Sequence, residues 1–185
     1  WDNKPGDSVT TKQLRTTLIG VLSGLGDQAV IDEARRRFAA SLTDPASLSP
    51  DLRRTVLGIV ARNADAATWD QLHAMAKNEK SSMIRDQYYG LLAAAKDKAL
   101  AQRALDMALT EEPGVTNSAG MIGSVSREHP EMAFDFAVAH RAQVDQLVDS
   151  TSRARYYPGL GAGATDLKMV DKIKAFADAN IAPTS

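Results

Sequence analysis

Three histidines, His73, His129 and His140, are the only imidazoles in the chain. A zinc site of the metalloprotease kind needs two His four apart on one helix, with a Glu between them as base. No such H-E-x-x-H occurs. His129 and Glu131 have the H-x-E spacing of a zinc deaminase, but that chemistry also takes two cysteines. The chain has no cysteine at all, so neither a thiolate metal site nor a disulfide framework is possible. The plain alternative for His129 is the start of a helix before Pro130. For His73 and His140 it is the flank of a helix. No metal ligand is predicted in these 185 residues.

Other chemistry-bearing patterns meet similar tests. Gly159-Leu160-Gly161-Ala162-Gly163-Ala164 fits G-x-G-x-x-[G/A]. That pattern binds phosphate only when a strand precedes it inside a βαβ unit. Here Pro158 precedes it and no strand pattern lies nearby, so it reads as a Gly-rich connector between helices. No G-x-S-x-G nucleophile turn exists. Glu111-Glu112 falls in a turn and reads as solvated. The six Met residues read as core filler. Arg153-Ala154-Arg155-Tyr156-Tyr157 is the most suggestive polar segment. Two cations beside two aromatics can bind a carboxylate or line a cavity, or simply anchor a loop. No catalytic residue is predicted.

Composition narrows the classes further. A chain of 185 residues is long enough to bury roughly 70% of its unfolded surface in one domain. Only 5% of residues are aromatic, and Ala and Leu dominate the apolar set, which favours helix over strand. The formal net charge is -1. The clusters Arg35-Arg36-Arg37 and Arg53-Arg54 have Asp32, Glu33 and Asp51 beside them, so no nucleic-acid surface is expected. No apolar run reaches the roughly 20 residues of a membrane span, and no signal peptide is visible. A first residue of Trp1 suggests a fragment or a processed product. The compartment stays open between cytoplasm, periplasm and secretion for a soluble chain.

The elements that must position these residues are helical nearly throughout. Leu14, Leu18, Val21, Leu22 and Leu25 recur at helical spacing on one face, closed by Gly24 and Gly26. Val30, Ala34 and Phe38 make the next stripe. Ser49-Pro50-Asp51 restarts a helix with an N-cap, a first-position proline and a favourable charge. Leu52, Val56, Ile59 and Val60 follow. Trp69, Leu72 and Met75 or Ala76 sit behind Asp65 as cap. Ile84, Tyr88, Leu91 and Leu92 come next, then Leu100, Ala104, Met107 and Ala108. Pro113-Gly114 marks a turn, and a weaker helix runs to about Arg127. Pro130 starts another helix, with Ala133, Phe136, Ala137 and His140 on one side. Residues Tyr157 to Gly163 form the least helical stretch. Thr165 is expected to cap a last helix with Val170, Ile173 and Ala177 inward.

Helices beginning near Asp27, Asp65, Asp97, Pro130 and Thr165 look alike, at starts roughly 30 to 40 residues apart. Each reads as the second member of a helix pair. That period predicts an all-α fold of stacked antiparallel pairs, a HEAT- or armadillo-like α-solenoid, with an irregular helical bundle as the alternative. A single helical-repeat domain over 1–185 is expected, as the later part of a larger C-terminal domain. A domain cut from its neighbours should expose an apolar patch where they sat.

The order of these segments resembles the C-terminal domain of the puromycin-sensitive and endoplasmic-reticulum aminopeptidases. Leu25-Gly26-Asp27 before Ala34-Arg35-Arg36-Arg37-Phe38 carries the likeness, as do Leu48-Ser49-Pro50-Asp51-Leu52-Arg53 and the turn from Ala64 to Trp69. So do His129-Pro130-Glu131-Met132-Ala133-Phe134-Asp135-Phe136 and the run from Thr165 through Val170 to Phe176. Phe134 stands where that family usually has Trp. The resemblance spans nearly the whole chain, and bacterial members look nearest. It implies a bowl of helix pairs that closes over a zinc site held in an earlier domain. That domain would carry the H-E-x-x-H and G-x-M-E-N motifs and a metal-activated water. On this reading the chain is non-catalytic, has no cofactor of its own, partners the parent's catalytic domain, and shapes a chamber for peptide substrates. Arg127, Arg153, Arg155 and Tyr156 are its candidate chamber-facing residues. The alternatives are a stand-alone repeat module that binds a protein or peptide and a small-molecule enzyme on a helical bundle, for which no nucleophile–base pair is visible.

Overall fold

The computed structural model describes residues 1–181 and divides the chain into two compact units, Trp1–Ala64 and Asp65–Ser185. Residues 182–185 of the expected domain lie outside the described part. The described residues form eleven α-helices, one short 3-10 turn and no strand. The expected all-α class is what is observed.

The first unit holds α1 (Val9–Gly24), α2 (Gln28–Thr43), the 3-10 turn Pro45–Ser47 and α3 (Pro50–Arg62). Ser8 Oγ accepts from Thr11 N (3.1 Å), which satisfies one of the free N–H groups at the start of α1. Gly26, at φ +87°, makes the left-handed reversal after α1. Asp27 then caps α2 through Val30 N (3.1 Å). Pro50 takes the first position of α3, and Ser49 is its N-cap residue but makes no side-chain cap bond. Ile31, Ala34 and Phe38 of α2 and Leu52, Val56, Ile59 and Val60 of α3 are buried. Arg35 Nη2 donates to Asn63 O (2.8 Å), tying α2 to the end of α3.

The second unit contains α4 (Ala66–Asn78), α5 (Ser82–Leu92), α6 (Lys98–Ala108), α7 (Val115–Val125), α8 (Pro130–Ala139), α9 (Arg141–Leu147), α10 (Arg153–Gly161) and α11 (Lys168–Asn180). Here helices pack in series, in the manner of an α-solenoid. Asp65 and Asp97 cap α4 and α6, accepting from Thr68 N (2.8 Å) and from Ala99 N and Leu100 N (2.8 and 3.0 Å). Within each unit the look-alike helices α2, α4, α6 and α8 pack most closely on a later helix, namely α3, α5, α7 and α10. For α2, α4 and α6 the tight hairpins are therefore offset by one helix from the pairing read in the sequence, whereas α8 packs on α10, two helices on, and α11 packs on α10 as read. Trp69 shows why for α4: its Nε1 donates to Leu92 O at the end of α5 (3.0 Å), in a fully buried setting. Ala101, Ala104 and Ala108 bury completely along α6, and their small side chains let α7 approach.

Three local expectations need correction. Residues 157–161 are helical, although a proline and two glycines lie there. Burial of Tyr157 and Leu160 outweighs the cost of Pro158 inside the helix. Gly161 is a packing glycine: a Cβ there would lie 2.5 Å from Met169 Cε and 2.9 Å from Ile173 Cδ1. Thr165 does not cap α11; Leu167 is the N-cap residue, and Asp166 Oδ1 accepts from Lys168 N (3.0 Å). Val170 faces solvent, while Met169 and Phe176 are the buried residues of α11. In α1 the expected face exists but is open: Leu14, Leu18, Val21, Leu22 and Leu25 are exposed, and Ile19 and Ser23 are buried instead.

Candidate functional site

Helix α10 carries three of the four candidate residues. Its position is set by aromatic burial. Tyr157 packs against Phe176 of α11 (ring centroids 4.9 Å apart), and its hydroxyl donates to Asp145 Oδ1 of α9 (2.7 Å). Burial, together with the neighbouring Asp145 carboxylate, raises the Tyr157 phenol well above its ordinary pKa. Tyr156 lies edge-on to Tyr157 and donates its hydroxyl to Ala119 O in α7 (2.9 Å). Desolvation likewise pushes Tyr156 far up, so both phenols stay protonated donors.

Arg153 is spent on structure. Its Nε donates to Val148 O (3.1 Å) and its Nη2 to Asp145 O, with the Asp145 carboxylate 3.6 Å away. These are carbonyls left free at the end of α9, where a cation is favoured by the helix dipole. Arg155 and Arg127 differ. Both are exposed, and neither side chain has a hydrogen bond or ion pair among the described residues. Arg155 lies on α10; Arg127 follows the end of α7. Tyr156 links these two helices, and no described contact joins Arg127 to the other three residues.

A second polar cluster escaped sequence reading. Glu112 lies in the turn between α6 and α7, with 34% of its side-chain surface exposed. Its Oε1 is shared by His73 Nε2 of α4 and by the hydroxyl of Tyr89 on α5 (3.2 Å). Burial pushes the Glu112 pKa up, but the bonds from His73 and Tyr89 and the charge of Lys77 leave it lowered overall. The Trp69 ring lies 5.3 Å from that of His73. The Arg103 guanidinium stacks over Trp69 at 4.1 Å and pairs with Asp70 at 2.6 Å. His73 and Glu112 are 39 residues apart, so no local pattern reveals the pair. Chemically it is a hydrogen-bonded acid and base with no nucleophile beside them. It fastens the α6–α7 turn onto α4 and α5.

The residues present do not fit a zinc ion. Among the described residues no group of three His, Cys, Asp or Glu could hold a metal. His129 Nε2 is bonded to Ala95 O and His140 Nδ1 to Phe136 O, both at 3.0 Å. An open depression of about 730 Å³ on the first unit is lined by Val9, Lys12, Gln13, Thr16, Thr17 and Asp51, and shares no residue with either cluster.

A family model described as the ERAP1-like C-terminal domain matches residues 1–185. The chain belongs to this family. Aminopeptidase M1 of Arabidopsis thaliana is 29% identical over 139 residues, covering 72% of this chain and 16% of that protein. Aminopeptidase M1-B of Oryza sativa subsp. japonica gives the same figures. Aminopeptidase M1-C from the same rice is 25% identical over 157 residues, 82% of this chain and 18% of its own length. The chain thus spans about a sixth of the length of the curated relatives it matches. Membership accounts for the ordered motifs from Leu25-Gly26-Asp27 to Phe176 and for the helical fold. Among the described residues no helix is long and apolar enough to cross a membrane.

Proposed function

We propose that this chain is the later part of the non-catalytic C-terminal domain of a zinc aminopeptidase, covering the active site and shaping the chamber that receives peptide. The observation that carries the reading is the family match along all 185 residues, beside relatives named as aminopeptidases. The chain's three histidines are engaged in hydrogen bonds within the fold. On this reading the zinc, and the activation of water that it supplies, belong to the catalytic domain of the parent protein. Peptide substrates and that catalytic domain are the partners.

Arg127 and Arg155 are the residues this chain would offer to a peptide. Each is an exposed, unengaged cation, suited to the C-terminal carboxylate of a substrate that has passed beyond the zinc site. Arg153 and Tyr156 act through packing, by fixing α10 against α9 and α7. The test is aminopeptidase activity in the longer protein encoded by the reading frame. Chelator-sensitive turnover by that protein, with none from these 185 residues, is the expected result. In the longer protein Arg155→Ala should raise KM for peptides several-fold while leaving an amino-acyl chromogenic substrate unaffected. A reading frame without an upstream H-E-x-x-H, or zinc-dependent turnover by this chain alone, would overturn the reading.

A further inference from the structure

Helix α1 is apolar on the side turned away from its own unit. Leu14, Leu18, Val21, Leu22 and Leu25 are between 41% and 80% exposed, whereas Ile19 and Ser23 on the opposite side are buried. From Thr16 to Gly26 there is no charged side chain. A helix that is solvated on one face normally carries charge there. The end of a stack of helical repeats is normally polar as well. The α1 stripe has the composition of an interior face.

We infer that this stripe is the seat of the helix pair that immediately precedes α1 in the longer polypeptide, packing through an amphipathic helix with an uncharged Leu-, Val- or Ala-rich ridge. The inference rests on the reading that this chain is part of a larger protein. Its geometry is that of one helix on another. The five residues fall at i, i+4, i+7, i+8 and i+11, a single ridge about 16 Å long at 1.5 Å per residue. A ridge of that kind accepts the grooves of one crossing helix. Consecutive elements of repeat proteins pack on their chain neighbours, as α2 does on α3 and α4 on α5.

Two considerations favour a neighbour in the same chain over a second copy. Five side chains of this size, about half exposed, offer on the order of 500 Å², short of the roughly 800 Å² a side that stable complexes bury. A tethered partner needs far less, because linkage sets a high effective concentration. The matched relatives also extend well beyond the region shared with this chain, which is 16% to 18% of their length. They have chain to supply such a pair.

The experiment places a photo-cross-linking residue, Leu18→benzoylphenylalanine, in the longer protein and identifies the joined peptide by mass spectrometry. Isotopically mixed protein separates links within a chain from links between copies. A peptide from the segment just upstream of Trp1, linked within one chain, is the expected product. Links between copies, to the domain carrying the zinc motifs, or to solvent-quenched product only would each overturn the inference. A gentler variant guards against damage by the bulky group. The chain has no cysteine, so Leu18→Cys and Ala39→Cys can be labelled with a maleimide in the same longer protein, each scaled to its rate in urea. Ala39 is exposed on α2. Leu18→Cys should react at least tenfold more slowly than Ala39→Cys; equal rates would overturn the inference. If the longer protein proves inactive and zinc-free but Leu18→Cys is protected and the upstream link forms, the packing inference stands while the proposed function fails.

Discussion

Helices α1 and α4 carry apolar stripes of the same helical period, each behind a polar N-cap that bonds the backbone three residues on. Their environments are opposite. In α4, Trp69, Leu72 and Ala76 are buried, and the indole N–H finds a carbonyl on α5. In α1 the equivalent ridge of five residues stands open. A stripe therefore records that a helix has a partner, and does not say whether the partner lies within these 185 residues. For α4 the partner is present, and its stripe closes on α5. In the first unit α1 keeps one face in reserve.

The sharpest way to break this contrast is to truncate one residue from each stripe. Trp69→Ala removes the largest fully buried side chain of the chain, its bond to Leu92 O and the surface on which Arg103 stacks. Urea unfolding of this chain should show a loss of about 3–5 kcal/mol in the transition that includes α4. Leu18→Ala in the same chain should fall within about 0.5 kcal/mol of the parent, as for a surface site. A cost for Leu18→Ala comparable to that of Trp69→Ala would mean that the stripe is covered in this chain already.

A smaller effect separates two helix starts, that of α6 in the second unit and that of α3 in the first, by how they are capped. Asp97 accepts two backbone N–H groups at the start of α6, and Asp97→Ala should cost about 1 kcal/mol. Ser49 occupies the N-cap of α3 without a side-chain bond, so Ser49→Ala should be close to neutral. Both follow from thermal or urea unfolding, and a reversed order would show that the cap bonds do not set these helix starts.

What could be read from the sequence divides along the same line. The cap at Asp65, the helix starts at Asp27 and Asp97, the first-position prolines at Pro50 and Pro130, and the helix stop at Gly26 are local events, and each is found where the residues place it. Helix α10 was illegible because Pro158, Gly159 and Gly161 are breakers by local rule. Its helix is decided by Tyr157 on Phe176 and by the fit of Met169 and Ile173 over Gly161, contacts made with a different element. The candidate site was legible only as a cluster of residue types. That Arg153 is consumed by the carbonyls of α9 while Arg155 stays unengaged depends on how α9 ends, which no spacing reveals. Glu112 shows the same limit: its neighbours in sequence describe a solvated turn, and its partners come from α4 and α5.

Glu112 gives the smallest and most specific prediction, because its bonds hold a turn of the second unit while nothing comparable covers α1. Its folded pKa is lowered from 4.5. A carboxylate of lowered folded pKa adds stability that is fully present above its unfolded value and lost as pH falls through the folded one. Glu112→Gln keeps the shape and removes the charge. At neutral pH the variant should be less stable by about 0.2–1 kcal/mol, the range for partly exposed pairs after solvent screening. Below pH 4.5 the difference should shrink with each step down, as the parent's own carboxylate takes up its proton. Melting temperatures of both proteins from pH 7 to pH 3 provide the measurement. A difference that grows below pH 4.5 would mean that Glu112 is better accommodated neutral, and that burial outweighs the bonds from His73 and Tyr89.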